Sequence, residues 1–133
     1  MSTSDDFEPY PNQGPFLEHI GPILVSRNGD ELTLGLQAEE RHANHRGTVQ
    51  GGVLATFADF ALGRAIEQDA EDDKARATVS LTVDYLKPAK PGDWIESVTK
   101  VDRVGGTLAF ADCSLRVGER EVVRARAVWV VAE

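Results

Sequence analysis

The stretch GGVLATFADFALGRAIEQ, residues 51–68, is the only long helix candidate in the chain, and it decides the fold. It contains no proline, and a period of 3.6 residues distributes its apolar side chains around nearly the whole helix. A helix that is apolar on every side is buried on every side. Its alanines and Gly63 also leave room for a sheet to approach the helix axis closely. We therefore predict a central helix enclosed by other elements.

Segments in which apolar and polar residues alternate both precede and follow this helix in the sequence. Upstream, a short helical turn at 15–20 precedes a period-two pattern over residues 23–36 with Asn28-Gly29-Asp30 in its middle, which predicts a hairpin. Downstream, a period-two pattern begins at Arg76 and predicts a four-stranded antiparallel meander. Its turns fall at residues 88–92, 105–106 and 118–119. Because the strands are grouped rather than alternated with helices, the fold class is α+β, with one antiparallel sheet wrapped around the helix.

Length and charge limit the classes of function. The 133 residues suit one domain, which we assign to residues 14–133, and the polar residues 1–13 are interpreted as a flexible N-terminal tail or as an arm packed on a partner. With 14 Lys and Arg against 22 Asp and Glu, the net charge of −8 argues against nucleic acid or an anionic membrane as partner. No apolar run reaches the roughly 18 residues of a membrane helix. The acidic N-terminus does not resemble a signal peptide, so we expect a cytoplasmic protein.

Asp59 is the residue whose chemistry most needs an explanation. Its neighbours along the helix face are apolar or small: Ala55, Leu62, Gly63 and Ile66. Burying a carboxylate there costs several kcal/mol unless a hydrogen bond, a cation or a wet cleft compensates. Two interpretations stay open: a structural aspartate bonded to backbone or to a Ser or Thr hydroxyl, and a general base or nucleophile.

Gly51 and Gly52 stand where the helix begins. The first N–H groups of a helix have no intrahelical acceptor, and the helix dipole is positive at that end. Without Cβ atoms, a substrate oxygen can approach closely, which suits an oxyanion hole. A tight loop-to-helix turn would need the same residues. Asp59 lies roughly 12 Å further along the helix axis at 1.5 Å per residue.

The loop before the helix carries Asn44, His42 and His45. Asn44 can orient a water molecule or a carbonyl group, or simply close its turn. We expect both histidines to be exposed loop side chains.

No pair of histidines has the spacing of a metal site on one helix face, and Cys113 is the only cysteine, so we predict no metal site. The alternating context of Cys113 indicates a core residue rather than a nucleophile.

Two segments together resemble a known family. HANHRGTVQGG (residues 42–52) followed by Asp59, and TVSLTVDYLKPAK (residues 78–90) with its Tyr-x-x-Pro-Ala turn, are similar to the hotdog-fold acyl-CoA thioesterases of the phenylacetate-degradation type. The resemblance covers residues 16–131. It implies a hotdog fold and hydrolysis of an acyl-CoA to a free acid and CoA. It also implies a homodimer or homotetramer with the active site between two protomers.

The resemblance assigns roles to particular residues. Asp59 would be the general base or nucleophile, and the N–H of Gly51 would polarise the thioester carbonyl. Asn44 would position substrate or water, and Thr78 would hold the attacking water. Coenzyme A is part of the substrate, and no further cofactor is implied.

Gln50 departs from the family pattern, which most often has histidine at this position. Glutamine can donate a hydrogen bond to the thioester or orient Asp59, but it cannot carry a proton. Two alternatives to a thioesterase therefore stay open: a non-catalytic acyl-CoA-binding hotdog protein, and an enoyl-CoA hydratase or dehydratase, against which Gln50 counts.

Substrate contacts are expected on both parts of the ligand. Gly52 is a candidate contact at the helix start, where a substrate oxygen can come close. Phe57, with Leu54, Phe60 and Ile66, could line an apolar tunnel for the acyl group, although the same side chains are also needed for the core. The CoA phosphates require cations, for which the candidates are Lys87, Lys90 and Arg103, with Arg46 nearby in sequence. Aromatic, short-chain and medium-chain acyl groups all stay open.

Overall fold

The computed structural model describes residues 6–29 and 31–132, which form one antiparallel sheet around a long helix. The helices are α1 (Pro15–Ile20) and α2 (Gly51–Asp69), with a 3₁₀ turn at Glu40–His42. The strands are β1 (Glu8–Pro9), β2 (Leu24–Asn28), β3 (Glu31–Gln37), β4 (Arg76–Tyr85), β5 (Trp94–Val104), β6 (Leu108–Val117) and β7 (Arg120–Val131). Among the described residues, no helix is both long and apolar enough to cross a membrane.

Helix α2 is central and buried, as its sequence predicts. Its buried residues are Leu54, Phe57, Ala58, Phe60, Ala61, Leu62, Gly63, Ala65 and Ile66. Strands β3 to β7 all pack against it. The approach is closest at Gly63, where a Cβ atom would lie 2.5 Å from Cη2 of Trp129 on β7. The small residues of the helix are therefore required by the sheet that covers it.

The order of strands in the sheet is β1-β2-β3-β5-β6-β7-β4, with every pair antiparallel. The hairpin β2–β3 and the meander β5–β6–β7 are confirmed. The prediction that β4 opens a four-stranded meander is wrong, because β4 pairs with β7 and lies at the far edge. Residues 86–93 lead back across the sheet, and three strand spacings of about 4.8 Å are well within the reach of such a segment.

One irregularity in β4 changes which way its side chains point. The pairing of β4 with β7 shifts register between Thr78 and Ser80, so that Val79 has no partner residue and is 59% exposed. Leu81 and Val83 pack against the core, whereas Ser80 is exposed. Beyond the bulge, Thr78 pairs with Trp129, whose side chain is buried. The bulge therefore turns Thr78 towards α2, as β-bulges commonly re-aim a side chain.

Strands β3 and β5 separate after a short contact. They pair only over Gly35–Gln37 and Trp94–Glu96. Further along, the Leu34 N–H donates to the buried Ser97 hydroxyl at 3.0 Å instead of to a backbone carbonyl. The gap is a pocket of about 510 Å³, lined mainly by Glu31, Thr33, Asp69, Glu71, Val98 and Thr99.

The N-terminal segment makes ordered contacts from Phe7 onward. The Phe7 ring meets the Trp94 ring edge-on at 5.0 Å, and Tyr10 meets Phe60 in the same way at 5.2 Å. The Gln13 side chain donates to the Tyr10 and Ile23 carbonyls and accepts from the Ile23 N–H. Part of the expected tail is thus held on the domain by its aromatic side chains. Residues 1–5 lie outside the described residues, and the domain boundary at residue 14 stays a prediction.

Candidate active site

Asp59 and Thr78, which the sequence analysis selected separately, are in contact. The Thr78 hydroxyl donates to Oδ1 of Asp59 at 2.8 Å. Asp59 is half-buried on α2, and Thr78 reaches it from the edge strand β4 because of the bulge at Val79. This hydrogen bond orients the carboxylate, and none of residues 6–29 and 31–132 forms a hydrogen bond with its second oxygen. A structural aspartate and a catalytic one would both use such a bond, so the contact alone does not choose between the two interpretations.

The start of α2 presents unused backbone donors. The Gln50 carbonyl accepts from the Val53 N–H at 3.0 Å and from the Leu54 N–H at 3.4 Å, while the Gln50 side chain makes no capping bond. Within the part of the chain that the structure describes, the N–H groups of Gly51 and Gly52 have no acceptor, as expected for the first residues of a helix. A Cβ atom on Gly52 would meet nothing within 4 Å. A ligand oxygen can therefore approach these donors without steric hindrance.

Tyr85, the last residue of β4, packs on the first turn of α2. Its hydroxyl donates to the Gly51 carbonyl at 2.8 Å. A Cβ atom on Gly51 would lie 3.2 Å from both Cζ and Oη of the tyrosine. Sequence reasoning did not select Tyr85 as a site residue, although it lies in the Tyr-x-x-Pro-Ala segment. The available signal was that this tyrosine ends a strand on the same side of the sheet as Val83.

A groove of about 400 Å³ opens at this end of α2. Its lining includes Thr48, Gly51, Gly52, Leu54, Tyr85, Leu86 and Lys87. Leu86 is 49% exposed, so the groove combines an apolar wall, a cation and the free helix donors. Such a combination suits a ligand with an apolar part and an anionic part.

His42 belongs to the scaffold of the loop rather than to the site. The expectation of an exposed side chain is wrong, because the residue is only 2% exposed. The Glu39 N–H donates to Nδ1 at 2.9 Å, so the ring proton lies on Nε2, which contacts the Ile20 carbonyl oxygen. The same loop is tied to α1 by Arg41, which donates to the His19 and Gly21 carbonyls. His45 is exposed, as expected.

Asn44 closes the turn that leads into α2. Its Oδ1 accepts from the Arg46 and Thr48 N–H groups at 2.9 and 3.2 Å, and its Nδ2 donates to the Thr48 hydroxyl at 3.0 Å. The side chain therefore shapes the wall of the groove, since Thr48 lines it. A direct role in positioning substrate or water stays a prediction.

The expected substrate contacts are not all brought together in one chain. Lys87 lines the groove, and Lys90 is exposed three residues further on. Phe57 is 0% exposed and forms part of the core, where its side chain fills space between helix and sheet. Arg103 is exposed next to a bulge of β5 and close to Gly105, near the C-terminal end of α2. The 19 residues of α2 separate the two ends by roughly 28 Å.

Two further sequence inferences concern reactive groups. Cys113 is a buried core residue, as predicted, and burial together with Asp112 raises the pKa of its thiol to about 12. That value disfavours the thiolate that a nucleophile requires. Among residues 6–29 and 31–132, no group of three metal-ligating side chains is placed to hold a metal ion.

Comparison with known proteins assigns the family. A family model described as "Thioesterase superfamily" matches residues 46–124, which contain α2, the groove and the Asp59–Thr78 pair. The chain belongs to this superfamily. It has the hotdog fold, and it is a thioester hydrolase. Membership thus selects the hydrolase among the three readings that Gln50 had left open.

Individual relatives agree with this assignment. A Pseudomonas aeruginosa protein named as an esterase is 37% identical over 130 residues, which is 97% of each chain. Acyl-coenzyme A thioesterase 13 of Mus musculus is 34% identical over 92 residues, covering 69% of this chain and 65% of the mouse protein. The E. coli PaaI protein from the phenylacetic acid degradation operon has a TM-score of 0.79 at 18% identity, covering 91% of this chain and 86% of that one. This last likeness concerns the fold.

Proposed function

We propose that the protein hydrolyses an acyl-CoA thioester to a free acid and CoA, with Asp59 as general base or nucleophile. The observation that carries this proposal is the hydrogen bond from Thr78 to Asp59, which orients a half-buried carboxylate in a member of the thioesterase superfamily. The name of the mouse relative, an acyl-coenzyme A thioesterase, supports CoA as the thiol part of the substrate.

In the general-base route, Asp59 takes a proton from water while the water oxygen attacks the thioester carbon. The negative charge that develops on the carbonyl oxygen is stabilised by the free N–H of Gly51. When the C–S bond breaks, the thiolate takes the proton back from Asp59. Because Gln50 cannot supply a proton, this return by Asp59 lets the reaction balance without a histidine. In the nucleophilic route, a carboxylate oxygen of Asp59 attacks the thioester carbon and displaces CoA as its thiolate, which takes a proton from water; a water molecule then hydrolyses the mixed anhydride, which releases the acid and regenerates Asp59.

The distance between the two proposed catalytic groups supports a homodimer. Gly51 and Asp59 are separated by roughly 12 Å along one helix, whereas the Gly51 N–H must reach the carbonyl oxygen, and Asp59, directly or through one water molecule, the carbon of the same thioester group. We therefore infer that Gly51 of one protomer acts with Asp59 of its partner. The long edge strand β4, with Val79 59% exposed, supplies a free ladder for pairing two sheets beside both residues. Pairing of two such dimers into a homotetramer, and a cytoplasmic location, remain predictions.

The cations suit the phosphate end of CoA. Lys87 lines the groove at the start of α2, and Lys90 and Arg46 are exposed on the loops beside it. Arg103 is far from this groove within one chain, so we assign it a CoA contact only through the partner protomer.

The test is release of free thiol from a panel of aromatic, short and medium acyl-CoAs. Asp59→Asn keeps the shape of the side chain but removes its basicity, so we expect a loss of turnover of about 10²–10⁴-fold with the melting temperature nearly unchanged. Asp69→Asn, an exposed carboxylate at the other end of α2, is the matched control and should retain full activity. Equal turnover by Asp59→Asn and the parent enzyme would refute the role of Asp59.

A further inference from the structure

Tyr85 is attached to the peptide group that begins helix α2. Its hydroxyl donates to the Gly51 carbonyl at 2.8 Å, and its ring covers the face of Gly51 where a Cβ atom would project. The carbonyl of Gly51 and the N–H of Gly52 belong to the same peptide group. A hydrogen bond accepted by a peptide carbonyl polarises that group and makes its N–H a stronger donor.

The anchoring of β4 does not require this hydroxyl. The strand pairs with β7 on both sides of the bulge at Val79, and the Leu86 N–H continues the pairing by donating to the Val122 carbonyl at 2.9 Å. The Tyr85 side chain is also 54% exposed, so it buries little apolar surface. The phenol is therefore poorly placed to hold the fold together but well placed to act on the helix start.

We propose that Tyr85 is a positioning residue for the oxyanion donors of this thioesterase. It acts through the Gly51–Gly52 peptide, by fixing the first turn of α2 against the end of β4 and by strengthening the Gly52 N–H. Gly52 thereby becomes a second donor beside Gly51, in open space that a thioester oxygen can enter. This inference rests on the function proposed above.

The Tyr85 hydroxyl should stabilise the transition state more than it stabilises the bound substrate. The charge on the carbonyl oxygen is small in the substrate and large in the tetrahedral intermediate, so a stronger donor lowers the barrier more than it tightens binding. Loss of the hydroxyl should therefore reduce kcat and leave KM nearly constant. Removal of a whole oxyanion donor costs about 10²–10³-fold in kcat, and weakening one should cost roughly tenfold.

The experiment compares Tyr85→Phe with the parent enzyme on an acyl-CoA that the parent hydrolyses. Tyr10→Phe, which removes the hydroxyl of the other tyrosine far from the groove, is the matched control. We expect roughly tenfold lower kcat for Tyr85→Phe, a change in KM of less than about twofold, and an unchanged melting temperature. As a readout independent of turnover, the amide proton resonance of Gly52 should move upfield in Tyr85→Phe and stay in place in Tyr10→Phe.

Each other result has a distinct meaning. If the parent turns over and Tyr85→Phe matches it in kcat, or changes KM alone, the positioning role is refuted while the thioesterase function stands. If the Gly52 resonance does not move, the polarisation of that peptide is refuted whatever the rate. If the parent hydrolyses no acyl-CoA, the proposed function fails, and the inference fails with it.

Discussion

The two ends of helix α2 both border a pocket, and the two pockets differ in chemistry more than in size. The groove at the N-terminal end, of about 400 Å³, has Gly51, Gly52 and Lys87 in its wall. The pocket at the C-terminal end is larger, about 510 Å³, but carries Glu31, Asp69 and Glu71. A thioester oxygen that gains negative charge, and phosphates that already carry it, are favoured by the positive end of a helix and disfavoured by the negative end.

This difference shows how a chain of net charge −8 can still serve an anionic ligand. Acidic side chains follow one another at the C-terminal end of α2 and in its exit loop, at Glu67, Asp69 and residues 71–73. The local charge at the groove is therefore set by its own lysine and helix donors rather than by the total. Pocket size alone would select the acidic end rather than the end at which we propose that the thioester binds.

The largest difference that we expect between substitutions in different parts of α2 is in the free energy of unfolding. The middle of α2 and its N-terminal end differ in packing: Ala at Gly63 would place a Cβ atom 2.5 Å from Trp129, whereas Ala at Gly52 would meet nothing within 4 Å. We expect Gly63→Ala to lower the free energy of unfolding by about 2–3 kcal/mol, since a packed core cannot absorb an added methyl group. Gly52→Ala should leave it unchanged or raise it by up to about 1 kcal/mol through helix propensity. Urea denaturation of both variants measures the contrast, and equal losses would contradict it.

A smaller effect should appear in substrate binding. Lys87→Gln removes the cation of the groove. We expect KM for an acyl-CoA to rise roughly fivefold, because an exposed charge interaction contributes about 1 kcal/mol to binding. Lys74→Gln, in the exit loop at the acidic end, is the control and should leave KM unchanged. The difference should shrink as salt is raised to about 1 M, because salt screens exposed charges. A KM that ignores both lysines and the salt concentration would show that the groove does not hold the phosphates.

The smallest effect concerns the acidic end and acid titration. Hydrogen bonds from the Arg76 side chain and the Lys74 N–H lower the pKa of Asp72 to about 2 from its ordinary value of 3.8. A carboxyl group whose pKa is lower in the folded protein stabilises the fold at pH values above its ordinary pKa of 3.8. This contribution is lost as the pH falls from 3.8 towards about 2. We expect the carboxyl ¹³C resonance of Asp72 to titrate near pH 2, and its midpoint to move up towards 3.8 in Arg76→Ala. An unchanged midpoint would mean that Arg76 does not hold this carboxylate.

The sequence predicts the elements of this fold better than their arrangement. The absence of proline and the apolar periodicity identify α2 to within one residue of its observed end, because both are local properties of the chain. The position of β4 at the far edge is not local. Alternation reports which side chains share a face of a strand, and it says nothing about which strand lies alongside.

The same limit explains the site residues. Asp59 and Gly51 can be selected as candidates from their positions in one helix, whereas the Tyr85–Gly51 contact joins residues 34 positions apart, and the strand pattern around Tyr85 does not identify its partner. Phe57 and His42 show the converse case. Their side chains suit a site by type, but their depth depends on what packs over them, and both are buried in the scaffold.

The bulge at Val79 also determines which mutations β4 can tolerate. Thr78 and Tyr85 are seven residues apart, an odd number, and in a regular strand an odd spacing places two side chains on opposite faces. Both reach α2 only because Val79 adds one unpaired residue between them. Replacing Val79 by another residue suited to a strand should cost little, whereas deleting it would turn Thr78 or Tyr85 away from the helix. In this strand, the number of residues is under tighter constraint than their identity.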